Sequence, residues 1–203
     1  MSSGPAIDNI AGNPQFRHLS SIAGIVVDLR YASADNFVGR DLYAPYDCAW
    51  LHRDAAAALE QVVAWLAQHA PRYKVLILDA LRPQRVQQTL WDALAGTGLQ
   101  MYLASPERGS IHTFGMAVDI TLLDERGREL DMGTGFDDLS DLSHPALETQ
   151  MLANGAISPA QVANRQLLRD AMAQAGWVGI NTEWWHYDCG DRNHVRQTFE
   201  RVL

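Results

Sequence analysis

The spacing of hydrophobic residues along the chain predicts three helices. Between residues 54 and 70 apolar side chains recur at helical spacing, with Asp54 at the start and Pro71 just beyond the end. Residues 84–94 and residues 159–175 show the same kind of pattern. We therefore predict one helix in each of these three segments.

Shorter apolar runs predict strands between and around these helices. Such runs, rich in β-branched residues, occupy residues 22–29, 75–78, 112–123 and 177–187. Because the predicted strands are short and are joined by irregular loops, the interleaving of strands and helices favours an α+β domain over a parallel, doubly wound one.

Two segments carry neither pattern. Residues 1–20 are polar and interrupted by glycine and proline, which predicts an extended N-terminal leader. Residues 124–143 are acidic and rich in turn-forming residues, which predicts irregular structure that folds back near any functional site. We expect one domain over residues 1–203.

Composition narrows the classes of function. The chain has 203 residues, of which 47% are hydrophobic and 20% charged, as in a folded globular protein. Its formal charge of -8 disfavours nucleic acids and anionic membranes as partners, because both attract basic surfaces. No apolar stretch has the length of a membrane span and no signal-like start is visible, so we expect a cytoplasmic protein. Cys48 and Cys189 are far apart in sequence and are predicted to be free thiols.

One short motif carries metal-binding chemistry. His112 and Asp119 lie on either side of a bend at Gly115, which can bring an imidazole and a carboxylate to one point. A catalytic zinc site uses three protein ligands and leaves one position open. His186 is the best third candidate, since it ends a second strand-like run and follows Glu183 by three residues. Each residue alone has an ordinary alternative as a hydrogen-bonded core or surface group, so the joint pattern carries the prediction.

Together with further motifs, this pattern resembles the D-alanyl-D-alanine dipeptidases, a group of the zinc DD-peptidase family that includes the vancomycin-resistance dipeptidase. The resemblance spans nearly the whole chain and rests on several motifs in the order of the family. These are Tyr31-Ala32, Asp35-Asn36-Phe37, Gly39, Arg82-Pro83, the segment from Ser110 to Leu122, Met132-Gly133, Phe136-Asp137 and Glu183-Trp184-Trp185-His186. The resemblance implies a single DD-peptidase/Hedgehog-like domain with a small, mostly antiparallel central sheet flanked by helices.

The resemblance also implies a metal and a base. In the family, the residues that match His112, Asp119 and His186 bind one Zn²⁺ per chain, in agreement with the ligand count above. The residue that matches Glu183 is the general base, which takes a proton from a water at the metal and passes it to the leaving amine. The alternative for Glu183 is a surface acid or a partner of a ligand.

Four further residues have roles implied by the resemblance. Arg82 matches the arginine that faces the carbonyl oxygen of the scissile bond, although a plain salt bridge is an equal alternative without the family. Tyr31 and Asp137 match positions that meet the free ammonium end of the dipeptide, and Ser110 matches one that hydrogen-bonds the substrate. Asp137 lies in an acidic loop, where a solvated carboxylate is the ordinary interpretation.

The implied function is zinc-dependent hydrolysis of D-Ala-D-Ala and similar small D-amino-acid dipeptides. The stretch between Arg82 and Ser110 is shorter than in the vancomycin-resistance enzymes, where this region helps to enclose the cavity, so the resemblance implies the hydrolysis more strongly than a restriction to dipeptides. Leu81 stands where an aromatic residue is common, which changes the lining of the pocket and not the chemistry. A D,D- or L,D-carboxypeptidase acting on longer cell-wall peptides and a non-catalytic zinc-binding protein on the same fold remain alternatives. A non-haem iron oxygenase also uses two histidines and a carboxylate, but the seven-residue spacing of His112 and Asp119 argues against it. The pattern specifies no oligomeric state.

Overall fold

Five strands form the central sheet of the protein, as seen in a computed structural model that describes residues 4–203. The strands are β2 (Ile25–Val27), β4 (Lys74–Asp79), β5 (Ala117–Leu123), β6 (Trp177–Gly179) and β7 (His186–Cys189). Their spatial order is β2-β4-β5-β7-β6, in which only β2 and β4 run parallel to each other. A separate two-stranded sheet pairs β1 (Phe16–His18) with β3 (Trp50–His52). The α+β class with a small, mostly antiparallel central sheet is confirmed.

Helices flank this sheet, and three of them lie at the positions that the periodicity predicts. They are α1 (Arg53–His69), α2 (Gln84–Ala93), α3 (Glu148–Ala153), α4 (Pro159–Gln174) and α5 (Arg192–Thr198). The long helix α1 buries Leu59, Val62 and Leu66 at intervals of three and four residues, so one face packs into the main core. In α4 the side chains of Ser158 and Gln161 form a capping box at the first turn. The short helices α3 and α5 were not predicted.

The structure corrects the bounds of three predicted strands. The run at residues 22–29 forms only the three-residue β2, and the run at residues 112–123 begins with a 3-10 helix, Ile111–Phe114, before β5. The run at residues 177–187 cannot be one strand, because β6 and β7 are antiparallel neighbours and the chain must reverse between them. Glu183 consequently lies in the connecting loop.

The prediction of an extended leader is wrong for the part of it that the structure describes. Residues 4–20 contain a 3-10 helix, Ile7–Gly12, and the strand β1. Ile7, Ile10 and Phe16 are buried in the second hydrophobic cluster of the protein, which also includes residues of α2. Three apolar side chains therefore hold this polar segment against the domain. Residues 1–3 of the predicted leader lie outside the described residues.

A buried arginine fixes the irregular segment 124–143 to the domain. Arg165 of α4 is 1% exposed. It donates to the backbone oxygens of Met132 and Leu142 at 2.6 and 2.8 Å and also contacts the carboxylate of Glu148 at 3.4 Å. Backbone oxygens that no helix or strand satisfies thus receive charged donors, which holds the segment in one conformation.

Cys48 and Cys189 are free, as predicted. Within residues 4–203, no helix combines the length and the apolar character that a bilayer span requires.

Candidate active site

The centre of the site is a row of side chains across three neighbouring strands. In the register of the sheet, Asp79 of β4 lies opposite Asp119 of β5, and Asp119 lies opposite His186 of β7. Directly opposed residues of antiparallel strands project to the same face of a sheet. The pairing of the strands thus brings together acidic and imidazole groups that are 67 residues apart in the case of Asp119 and His186.

His112 reaches this row from the turn before β5. The turn ends at Gly115, whose φ of 66° lies in the left-handed region that glycine adopts without strain. A Cβ at Gly115 would lie 2.8 Å from the backbone nitrogen of His52 and 2.9 Å from the ring of Phe16. Glycine is therefore required here both by backbone conformation and by space, as the predicted bend implied.

Three potential ligand atoms converge at this point. Nε2 of His112 lies 3.1 Å from Nδ1 of His186 and 3.3 Å from Oδ1 of Asp119. Nδ1 of His186 lies 3.0 Å from Oδ1 of Asp119. Zinc bonds of about 2.0–2.1 Å in tetrahedral geometry place ligand atoms about 3.3 Å from one another. The spacing of these three buried residues therefore suits a divalent cation such as zinc.

The second nitrogen of each histidine also has a hydrogen-bond partner. Nδ1 of His112 lies 2.8 Å from the backbone oxygen of Ala80, and Nε2 of His186 lies 2.9 Å from Oδ1 of Asp188. Both partners accept hydrogen bonds, which favours the neutral tautomers that are protonated at these two nitrogens and leaves the other two nitrogens available to a metal ion. Such outer contacts orient the imidazoles of metal sites and set their tautomers.

Arg82 is held beside this cluster by Asp79. Its Nε and Nη2 donate to Oδ2 of Asp79 at 2.9 and 2.6 Å, and Nη1 donates to Gln87 at 3.2 Å. Nη2 also lies 3.4 Å from Oδ2 of Asp119. Burial by itself lowers the pKa of Arg82, but the acidic groups around it, led by Asp79, together outweigh this effect and raise that pKa well above its usual range. The salt bridge weighed for Arg82 in the sequence is therefore present, and the guanidinium still lines the cavity described below.

Glu183 lies in the loop between β6 and β7, on the wall of the same cavity. Burial raises the pKa of its carboxyl group to about 7, although His186 opposes this rise. At neutral pH such a group exchanges a proton with little free-energy cost in either direction.

Asp137 is joined to Tyr31, whose hydroxyl donates to its Oδ2 at 2.8 Å. The backbone of Asp137 has a φ of 60°, which is uncommon for a residue with a side chain. The neighbouring Phe136 makes edge-to-face contacts with Tyr31 and Trp185 at 5.8 and 5.7 Å. Burial raises the pKa of Asp137 to about 8. Asp137 is therefore a half-buried, positioned carboxyl group, unlike the solvated loop acid considered in the sequence.

One cavity of about 370 Å³ brings all the predicted residues together. Its wall includes each of the eight candidates, namely Tyr31, Arg82, Ser110, His112, Asp119, Asp137, Glu183 and His186. A volume of this order is typical of pockets that enclose small molecules.

Sequence reasoning missed two buried acids of the site. Asp79 and Asp188 are 0% and 2% exposed, and each contacts a predicted residue directly. The sequence does contain a signal for Asp188. It lies two residues after His186 in a strand, and side chains two apart in a strand share a face.

Two histidines and a carboxylate around one point, with a separate carboxyl group nearby, form the kind of site that metal-dependent hydrolases use. The comparison with protein families agrees with this class. The chain belongs to the D-ala-D-ala dipeptidase family, a peptidase family whose model matches residues 15–203. The resemblance inferred from the motifs is confirmed.

Curated relatives have the same description over most of their length. The chain is 39% identical to a D-alanyl-D-alanine dipeptidase of Escherichia coli K12 over 162 residues, which are 80% of this chain and 77% of the relative. It is 29% identical to a D-alanyl-D-alanine dipeptidase of Enterococcus faecium over 200 residues, which are 88% and 93% of the two chains. A D-alanyl-D-alanine dipeptidase of Streptomyces coelicolor is 28% identical over 198 residues, again 88% and 93%.

Proposed function

We propose that this peptidase is a zinc-dependent dipeptidase that hydrolyses D-Ala-D-Ala and similar small D-amino-acid dipeptides. The single observation that carries the proposal is the convergence of Nε2 of His112, Oδ1 of Asp119 and Nδ1 of His186 at 3.0–3.3 Å within the cavity. Two imidazoles and one carboxylate are a donor set that zinc accepts in peptidases. The activity for which the relatives are named supports the choice of substrate.

Zinc bound there would polarise the peptide carbonyl and lower the pKa of a water molecule. Glu183 is the proposed general base. With a pKa of about 7, its carboxylate can take the proton of the attacking water and its carboxylic acid can then protonate the departing amine. The position of Glu183 on the cavity wall supports this assignment.

Arg82 is the proposed electrostatic partner of the developing oxyanion. Asp79 and Gln87 hold its guanidinium in place, so the side chain need not reorganise when negative charge forms on the substrate. A buried, fixed cation stabilises such charge more strongly than a solvated one because the surrounding dielectric is low.

Asp137 and Tyr31 are the proposed receptor for the ammonium group of the dipeptide. Burial of Asp137 disfavours its ionised form, and an ammonium group of the substrate would offset that cost by pairing with the carboxylate. The Tyr31 hydroxyl holds the carboxyl group in place. Ser110, 6% exposed on the cavity wall, is a further proposed hydrogen-bond partner of the substrate.

Substrate class can be tested with the zinc-loaded protein. The protein would be incubated with D-Ala-D-Ala, L-Ala-L-Ala and a cell-wall pentapeptide, and free alanine would be followed over time. We expect hydrolysis of D-Ala-D-Ala alone. Release of D-alanine from the pentapeptide at a comparable rate would instead establish a carboxypeptidase.

Two variants separate the proposed roles. Glu183→Gln keeps the shape of the side chain, so we expect normal zinc content by elemental analysis and a loss of about 10²–10⁴-fold in kcat. His112→Ala should lose both zinc and activity. A Glu183→Gln variant that lacks zinc, or one that retains full activity, would contradict these assignments.

A further inference from the structure

Three arginines line one part of the cavity wall. Arg192 and Arg196 are one turn apart on α5 and so project from the same side of that helix. Arg108 belongs to the loop that precedes Ser110. The Nε of Arg196 donates to the backbone oxygen of Gly109 at 3.1 Å, which ties α5 to this loop. Three guanidinium groups thus line one cavity in a chain whose formal charge is -8.

This arginine cluster has more positive charge than its surroundings neutralise. Burial lowers the pKa of Arg196, and the charges of Arg108 and Arg192 lower it further. Within residues 4–203, the ion pair of the cluster is that between Arg192 and Asp188. Asp188 is already shared with His186. Glu183 is the other carboxyl group that interacts with Arg192, so two carboxyl groups face three guanidinium groups.

A buried nitrogen of Arg196 adds to this imbalance. Nη1 of Arg196 has no hydrogen-bond partner within the described part of the chain. An unpaired buried donor and neighbouring like charges both carry a free-energy cost. An anion in the cavity would reduce both costs.

The arginine cluster and Asp137 are connected to different strands of the sheet. Tyr31, which binds Asp137, follows β2 at one edge of the sheet, whereas Arg192 and Arg196 follow β7. Between β2 and β7 lie β4 and β5, which carry Asp79 and Asp119. Arg82, by contrast, has its own ion pair with Asp79. The strand order therefore places Asp137 towards the β2 side of the cavity and the arginine cluster towards the β7 side, with Asp79 and Asp119 between them.

We infer that Arg108, Arg192 and Arg196 form the subsite for the free C-terminal carboxylate of the substrate. The inference rests on the proposed dipeptidase function and adds to it the direction in which the dipeptide lies. Its ammonium end is at Asp137 and Tyr31, its peptide bond is at the metal ligands, and its carboxylate is at the arginine cluster. Guanidinium groups suit this role because their planar donors match the geometry of a carboxylate.

The orientation can be tested with a substrate that differs only at its C-terminus. The zinc-loaded protein would be assayed with D-Ala-D-Ala and with its C-terminal amide, which has the same scissile bond but no carboxylate. Values of kcat/KM would be measured for the wild type, Arg108→Gln and Arg196→Gln. Arg128→Gln serves as the control, since Arg128 is an exposed arginine that pairs with Asp124 away from the cavity.

We expect each cluster variant to lose about 10- to 100-fold in kcat/KM on D-Ala-D-Ala, mainly through KM, because a hydrogen bond to a charged group is lost. The loss on the amide should be at least about tenfold smaller, since the amide has no carboxylate for the missing guanidinium. Arg128→Gln should change neither substrate by more than about twofold. Arg196→Lys keeps the positive charge and should lose less than Arg196→Gln on D-Ala-D-Ala.

Equal losses on both substrates, or no loss on either, would overturn the carboxylate subsite while the dipeptidase function stands. A wild-type protein that hydrolyses neither substrate would overturn the proposed function and the subsite with it. Thermal unfolding of each variant identifies a loss that comes from misfolding. In that case Arg108→Gln decides the question, because Arg108 is exposed and its replacement leaves the core intact.

Discussion

Replacement of Asp188 by asparagine should weaken metal binding without altering any ligand. Asp188 is 2% exposed and its Oδ1 lies 2.9 Å from Nε2 of His186, so its charge acts on that imidazole with little screening by water. The amide oxygen of an asparagine could still accept the hydrogen bond, but the side chain would not supply the negative charge, and Arg192 would lose its partner. Loss of such an outer contact typically weakens metal binding about 10- to 100-fold, which is about 1.4–2.8 kcal/mol.

Competition with a chelator of known affinity would measure the Kd for zinc in the wild type and in the variant. Asp124→Asn is a matched control, because Asp124 also pairs with an arginine four residues later, at 2.7 Å, but lies outside the cavity. We expect Asp124→Asn to bind zinc as tightly as the wild type. An Asp188→Asn protein with unchanged zinc affinity would show that the charge of Asp188 does not act on the ligand His186, and the reasoning would be refuted.

Two more predictions concern Gly115 and Asp137. Gly115→Ala should lower the free energy of unfolding by about 1–3 kcal/mol, because its φ of 66° and its contacts with His52 and Phe16 both exclude a Cβ. Denaturant unfolding would measure this change. Gly127 has a φ of 74° but open space around it, so Gly127→Ala should lose clearly less stability. A loss at Gly115 no larger than at Gly127 would show that the close contacts do not matter. For Asp137, a folded-state pKa of about 8 against a usual 3.8 means that the folded protein holds a proton that the unfolded chain releases. The stability that this proton contributes is complete below about pH 4 and is lost as the pH rises towards 8, by at most about 1.4 kcal/mol per pH unit. Denaturant unfolding of metal-free protein would be measured at pH 5 and at pH 8. The stability of Asp137→Asn relative to the wild type should be higher at pH 8 than at pH 5. The same stability difference at both pH values would mean that Asp137 does not titrate in this range.

The sequence predicted the features that local patterns encode. Periodicity in residues 54–70 and 159–175 identified α1 and α4 because each helix has one buried face. The motif from Ser110 to Asp119 predicted a bend that aligns an imidazole with a carboxylate, since a glycine in the left-handed region leaves a local signature.

Features that depend on tertiary contacts were not visible in the same way. Ile7 and Ile10 are isolated apolar residues in a polar segment. Their contacts with the second hydrophobic cluster, which the sequence does not reveal, show that the segment is packed. The spacing of Asp188 from His186 is visible in the sequence, but the role of Asp188 depends on the pairing of β7 with β5. The arginine cluster likewise joins α5 to a distant loop through the contact of Arg196 with Gly109, at a separation of 87 residues.

The row of opposed side chains across β4, β5 and β7 has a consequence for folding. Asp119 and His186 can approach each other only when their strands have paired in register, so an unfolded chain has no comparable binding site for a cation. A cation that binds the folded form alone adds stability by mass action, about 2.7 kcal/mol when its free concentration is about 100 times the Kd. The ion would then act as a cross-link between distant parts of the chain, and a shortage of metal would make the protein easier to unfold as well as inactive.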